Sequence, residues 1–356
     1  MPSLKEIKGR INSISSTLAI TSAMKMVAAA KLQKAQMAIQ NMLPYERRLY
    51  SMLVDLMGAM NISAAASEDG SVRGSGSAER GFDQSGDRLS LSNRHDLAGM
   101  DGAYSLMAQR EVRKVAIVAF ASNSSLCGAF NSNAIREATA VINEYRASGL
   151  RDSDIVVYSV GRKMAEAMRK LGFPSLADFT KMSDSPSYEA ASALAQELLD
   201  GFVSGRFDKV ELVYNHYIST SSQPTTRQTY LPLSLADATA DLQAGKIADS
   251  ASEPYTDKVA EPVVRQNSPT TETPDLIVEP SKEELIATLL PKVVRLRIFT
   301  TLLDSAAAEH AARTVAMQLA TDNGNDLLQE LTLEYNKGRQ QKITSEILDL
   351  VGGSMQ

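Results

Sequence analysis

Residues 4–11, with the sequence LKEIKGRI, begin the pattern that decides the fold. Apolar residues recur here in alternating steps of three and four, at Leu4, Ile7, Ile11, Ile14 and Leu18. This spacing is typical of the a/d seam of a coiled coil. The seam shifts and then resumes at Met24, Ala28, Leu32, Ala35, Ile39 and Met42. We therefore predict a coiled-coil helix over residues 1–60, kinked or interrupted at Pro44.

A second long helix is predicted over residues 281–356. Ser281 and Glu284 fit a capping box. Apolar residues then recur at helical spacing, at Leu285, Leu289, Val293, Leu296, Phe299 and Leu303. Pro291 predicts a kink near the start of this helix. Two such terminal helices can pair antiparallel, because the chain between them returns, and they would form a rod about 75–105 Å long.

Short apolar runs alternate with helical segments over residues 111–245. The predicted strands are 115–120, 155–160, 210–214 and 226–233, and the predicted helices are 133–147, 162–171 and 187–203. This alternation predicts a small, mainly parallel, Rossmann-like sheet. The fold class is therefore α/β plus a long antiparallel coiled coil. Residues 61–110 (rich in Ser, Gly, Asp and Arg) and 246–280 (rich in Pro, Ser, Thr and Glu) are predicted to be flexible insertions.

Composition excludes several classes of function. The chain has 356 residues, a net charge of −5, three histidines and one cysteine, Cys127. A single cysteine excludes an intramolecular disulfide and a cysteine-rich zinc site, and we expect neither a metal nor a cofactor. The negative net charge does not favour nucleic-acid binding. The sequence has no leader-like apolar segment and no apolar stretch of about 18 residues, so a cytoplasmic location is expected.

The turn after the first predicted strand, residues 121–129, lacks GxGxxG, and the chain has no P-loop. Cys127 in this turn is either an activated thiolate or, as free cysteines usually are, a small buried hydrophobe. His216 and His310 are more typical of structural histidines than of catalytic ones. A stand-alone α/β enzyme with its site at this turn remains an alternative, as does a coiled-coil scaffold.

The first helix is strongly basic. Residues 1–48 hold eight basic and two acidic side chains, in a chain whose total charge is −5. The basic face consists of Lys5, Lys8, Arg10, Lys25, Lys31 and Lys34. It is either a solvated helix surface or a contact for an acidic partner.

The two ends carry longer motifs. LKEIKGRI together with ITSAMKMVAAAKL (20–32) resembles the N-terminal signature of the gamma subunits of F-type ATP synthases. EHAARTVAM (309–317), ATDNG (320–324) and YNKGRQQKITSEI (335–347) resemble the C-terminal signature of the same family. LCGAFN (126–131) and TSSQPT (220–225) are weaker landmarks. Where the family usually has Asp-Arg-Gly before Leu-Cys-Gly, this chain has Asn123, Ser124 and Ser125.

The resemblance implies a non-catalytic rotor subunit. Its coiled coil would stand inside a ring of alpha and beta subunits, and its α/β domain would contact the c-ring and the epsilon subunit. The location would be the cytoplasmic face of the bacterial inner membrane, as a peripheral protein. By motif, Arg339 and Gln340 would contact a beta-subunit loop, and Met24, Arg313 and Thr344, with Gln340, would be helix–helix positions sensitive to coupling. Whether the driving ion is a proton or sodium stays open.

Overall fold

The computed structural model describes residues 3–68, 106–107, 110–233 and 281–354. The predicted insertion 246–280 lies outside these residues, and so does most of the insertion 61–110. The described elements, in chain order, are α1 (Leu4–Glu68), β1 (Val115–Phe120), α2 (Phe130–Ala147), β2 (Ile155–Val160), α3 (Arg162–Lys170), α4 (Thr180–Asp184), α5 (Tyr188–Val203), β3 (Lys209–Asn215), β4 (Thr225–Leu231) and α6 (Lys282–Ser354).

The first helix extends further than predicted, to Glu68, and the last helix spans nearly all of the predicted 281–356. The interruption predicted at Pro44 is wrong, since α1 continues through it to Glu68, and α6 likewise continues through Pro291. Pro44 is exposed, so water can hydrate the carbonyl that loses its hydrogen bond. Buried packing at Leu32 and Tyr50 holds α1 in place on either side. The predicted start of α6 is confirmed, because the Glu284 amide donates to Ser281 Oγ at 3.2 Å.

The sheet has four strands in the order β2-β1-β3-β4. β1 runs parallel to β2 and β3, while β4 pairs antiparallel with β3 at the edge. Every residue of β1 is buried, as expected for a strand covered on both faces. The predicted mainly parallel sheet is therefore confirmed. The short helix α4 was not predicted.

Alternate residues of β1 enter two separate hydrophobic cores. Val115, Ile117 and Ala119 face the core formed with α2 and α3. Ala116 and Val118 face the core formed with α5 and, unexpectedly, with both terminal helices. The larger helix residues of this second core include Tyr50, Leu53, Leu56, Leu194, Leu198, Leu290, Val293, Val294, Ile298 and Leu302. The rod is thus built into the domain, and one wall of the domain consists of the rod itself.

A buried polar network joins α2, β3 and β4. Glu211, whose side chain is 2% exposed, accepts hydrogen bonds from Tyr145 Oη at 2.7 Å and from Arg227 Nε at 2.7 Å. Lys209 Nζ lies 2.6 Å from the same carboxylate, and Arg227 also pairs with Glu144. Burial disfavours the charged form of Glu211, but these bonds outweigh it and lower its pKa.

The terminal helices pair antiparallel in a fixed register. Leu4 lies against Gly338, Leu18 lies against Gly324, and Thr321 Oγ1 donates to Thr21 Oγ1 at 3.0 Å. The two leucine–glycine contacts lie two heptads apart on each helix. Each glycine leaves a notch that a leucine of α1 enters. The predicted antiparallel coiled coil is therefore confirmed.

Candidate functional site

The bare end of the rod is the first candidate surface. Since Leu4, the first residue of α1, lies at the level of Gly338, α6 is the only helix of the described part of the chain that continues beyond it, from Arg339 to Ser354. This tip is about 24 Å long. Its exposed apolar side chains are Ile343, Ile347, Leu348, Leu350 and Val351, and Leu350 is 75% exposed. An exposed apolar surface of this kind marks a contact with another protein.

Three of the residues chosen from the sequence lie where the paired rod becomes a single helix. Arg339 and Gln340 are exposed immediately above Gly338. Thr344 is also exposed, and its hydroxyl donates to the Gln340 carbonyl at 2.9 Å, within its own helix. Both Arg339 and Gln340 therefore present their polar groups to the surroundings.

Met24 and Arg313 lie lower on the rod and are not part of this group. Met24 is half-buried, three residues from the Thr21–Thr321 contact. Arg313 Nη1 lies 2.6 Å from Glu309 Oε1, and Nη2 donates to Ser124 Oγ at 2.7 Å. Burial raises the pKa of Glu309 even though the Arg313 charge opposes it. Arg313 thus connects α6 to the loop that follows β1.

The basic face runs along the exposed side of α1. Lys5, Lys8, Arg10, Lys31 and Lys34 are exposed, and Lys25 is half-buried. Arg10 Nη2 lies 3.1 Å from Glu6, one turn away on the same helix. This geometry fits both interpretations of the basic face, as a solvated helix surface and as a contact for an acidic partner.

Sequence reasoning missed a polar contact between the sheet and the rod. His216 Nδ1 lies 2.6 Å from Asp304 Oδ2, and the Tyr217 amide donates to Asp304 Oδ1 at 2.9 Å. Gln36 Nε2 of α1 donates to Tyr217 Oη at 2.5 Å. The hydrogen bond to Asp304 raises the pKa of His216 above its ordinary value, although burial opposes the shift. The loop after β3 therefore holds both helices of the rod.

The residues considered for an enzyme site are differently placed. Cys127 is 1% exposed and packs against Phe130 and Ala308, which confirms the buried-hydrophobe interpretation. His310 is half-buried, and burial together with the Arg313 charge lowers its pKa to about 4. Within the described part of the chain, no cluster of His, Cys, Asp or Glu could hold a metal ion. None of the described helices is both long and apolar enough to span a bilayer.

Fold and site together define a stalk-type protein, in which a helical rod is carried by a sheet domain. A family model described as ATP synthase matches residues 3–355. The ATP synthase gamma chain of Phocaeicola vulgatus is 47% identical over 355 residues, covering 100% of both chains. That of Bacteroides thetaiotaomicron is 44% identical over 364 residues, again covering 100% of both. The chain belongs to the family of ATP synthase gamma chains, which form the central stalk.

Solved structures show the same fold. A chain in the Euglena gracilis mitochondrial ATP synthase (OSCP/F1/c-ring, rotational state 3) matches with a TM-score of 0.54 at 18% identity. The match covers 99% of this chain and 93% of that one. A chain in the rotor of the same enzyme, in rotational state 1, matches with a TM-score of 0.51. The family resemblance stated from the end motifs is confirmed.

Proposed function

We propose that this chain is the rotor shaft that couples ion-driven rotation of a c-ring to the conformational cycle of catalytic beta subunits. Two features of the rod carry the proposal. Its root, the part of α1 and α6 that shares a core with the sheet, is fixed in the α/β domain, and its tip exposes apolar side chains. The α/β domain would contact the c-ring and the epsilon subunit, and the rod would stand in the ring of alpha and beta subunits. The chain itself would not be catalytic, and it would lie at the cytoplasmic face of the membrane.

Asymmetry is the first requirement that the rod meets. A shaft can bias a catalytic site only through contacts that differ between the conformations of that site. Along the paired part of the rod, α1 and α6 present two different surfaces, and that of α1 is basic. Among the described residues, only α6 continues above Arg339, so the tip has no rotational symmetry that would match a ring of like subunits.

Stiffness is the second requirement. Apolar residues of both helices share one core with the sheet, so the rod cannot turn about its root without breaking that core. Arg297 Nη1 also donates to Tyr50 Oη at 2.6 Å, a buried bond between α6 and α1. Torque applied to the α/β domain would therefore reach the paired helices.

Arg339 and Gln340, which lie where the paired rod becomes a single helix, would bind a beta subunit at particular angles of the rotation. An arginine fork binds a carboxylate directionally, and Arg339 presents one beside the Gln340 amide. The basic face of α1 would meet an acidic segment of a beta subunit. Met24 and Arg313 would tune coupling from within the paired rod, and Thr344 would do so from the single-helix tip.

A lysine at position 24 tests the proposal. Met24→Lys places a charge beside the helix seam, so we expect proton or sodium pumping to fall while ATP turnover stays near normal. The measurement is ATP-driven pumping and ATP hydrolysis by the reconstituted complex in vesicles. Met37→Lys is the matched control, because Met37 is 52% exposed on the same helix. Wild-type pumping in Met24→Lys, or pumping by a complex assembled without this chain, would contradict the proposal.

A further inference from the structure

The carboxyl edge of the sheet is occupied by the rod. In open α/β sheets, ligands bind in the crevice where the chain leaves neighbouring strands in opposite directions. Here that point lies between β1 and β3, because β1 leads to β2 on one side and β3 lies on the other. The loops after β1 and β3 instead meet α6. A Cβ on Gly128 would lie 3.7 Å from Ala316 Cβ, and Cys127 packs on Ala308.

Most of the α6 surface in this crevice is smooth. Its buried residues there include the small residues Ser305, Ala306 and Ala308, whereas Ala307 and Ala311 pack with Leu32 of α1. Alanine methyl groups resist separation of the packed surfaces, but they interlock little and offer weak resistance to sliding. Hydrogen bonds depend on direction, so along this stretch of α6 polar contacts add to the resistance to rotation that the shared core gives nearer the root.

Two polar contacts between the sheet loops and α6 can oppose this rotation, one from the loop after β3 and one from the loop after β1. The loop after β3 holds Asp304 through the His216 ring and the Tyr217 amide, at 2.6 Å and 2.9 Å. The loop after β1 holds Arg313 through Ser124 at 2.7 Å. Asp304 and Arg313 lie about 13 Å apart along the axis of α6. Two separated points of attachment resist a twist better than one.

We propose that this crevice is a torque-bearing socket, and that Asp304 is the positioning residue that fixes the angle of the rod relative to the α/β domain. The inference rests on the proposed rotor function. A fold position that commonly holds a small ligand is filled here by a segment of the same chain. Asp304 suits the task because its side chain is only 16% exposed and both of its oxygens are bound by the same loop.

The test is single-molecule rotation of the complex assembled with full-length chain. The alpha–beta ring is fixed to a surface, a bead is attached to the α/β domain, and the angular spread of the bead is recorded during catalytic pauses. We expect Asp304→Ala to broaden this spread and to lower pumping per ATP hydrolysed. Asp304→Asn should restore the wild-type spread, because its amide oxygen can accept from the Tyr217 amide while its amide nitrogen donates to Nδ1 of neutral His216.

Asp322→Ala is the matched control, since Asp322 is exposed on the same helix and accepts from Gln318 of that helix. It should leave the spread unchanged. If Asp304→Ala fails to assemble, His216→Ala removes half of the contact from an exposed position and should broaden the spread less. An unchanged spread in the assembled variants would overturn the socket. A wild-type complex that hydrolyses ATP without rotating the bead would instead overturn the proposed function.

Discussion

Alanine at position 324 probes the notch that receives Leu18. A Cβ built on Gly324 lies 2.7 Å from Leu18 Cδ2 and 3.2 Å from Leu18 Cγ. Carbon atoms in contact normally sit about 3.5–4.0 Å apart, so the overlap is about 1 Å. Leu18 must shift or change rotamer to relieve the overlap, which disturbs its packing against α6. Gly9 is the matched control, because it lies inside α1 and a Cβ there meets nothing within 4 Å.

Two opposing effects set the magnitude. Replacing a helical glycine by alanine stabilises a helix by about 1 kcal/mol. Gly9→Ala should show that gain in full. At Gly324 an overpacking cost of about 1–3 kcal/mol opposes it, so the net effect should lie between neutral and about 2 kcal/mol destabilising. The two variants should therefore differ by about 1–3 kcal/mol.

Urea unfolding of the full chain, followed by far-UV circular dichroism, measures these effects. Repeating Gly324→Ala in a Leu18→Ala background completes a double-mutant cycle. With Leu18 truncated the overlap is gone, and the substitution should stabilise the chain as much as Gly9→Ala does. If Gly324→Ala already equals Gly9→Ala in the wild-type background, the glycine notch does not set the spacing of the helices.

Three further predictions concern the α/β domain. Because the pKa of His216 is raised, its bond to Asp304 contributes its full stabilisation below pH 6.5 and loses it as the pH rises through the raised pKa. The difference in free energy of unfolding between wild type and His216→Gln, measured by urea unfolding at several pH values, should therefore become smaller over that range. Glu211→Ala leaves the half-buried Lys209 without its carboxylate and Arg227 with Glu144 alone, and it should cost about 3 kcal/mol in urea unfolding, whereas Glu6→Ala, at an exposed pair, should cost under about 1 kcal/mol. Cys127, at 1% exposure, should react with iodoacetamide only after unfolding, and rapid labelling of the native chain would contradict its placement.

The elements that the sequence predicts best are those with a strong local pattern. The heptad spacing from Leu4 to Leu18 and the apolar run of β1 each repeat over enough residues to define their element. The interruption predicted at Pro44 is wrong because tertiary packing on either side keeps α1 continuous, which no local rule anticipates, whereas the kinks predicted at Pro44 and Pro291 stay predictions. The five-residue α4 is too short to show a period.

In the candidate site, too, the residues found from the sequence are those that lie within one local pattern. Arg339, Gln340 and Thr344 were found because they lie within one motif on one helix. The contact of His216 with Asp304 joins residues that are 88 positions apart, so neither residue signals the other in the sequence. Only the return of α6 along the sheet brings them together.

The shared core also constrains how the newborn chain matures. Leu290, Val293 and Ile298 complete the wall of the sheet that α1 and α5 leave open, yet they lie near the carboxyl end. During synthesis the strands emerge well before that wall exists. One face of β1 and β3 therefore stays exposed to solvent until α6 has been synthesised. Exposed apolar surface of this kind favours aggregation, which chaperones prevent.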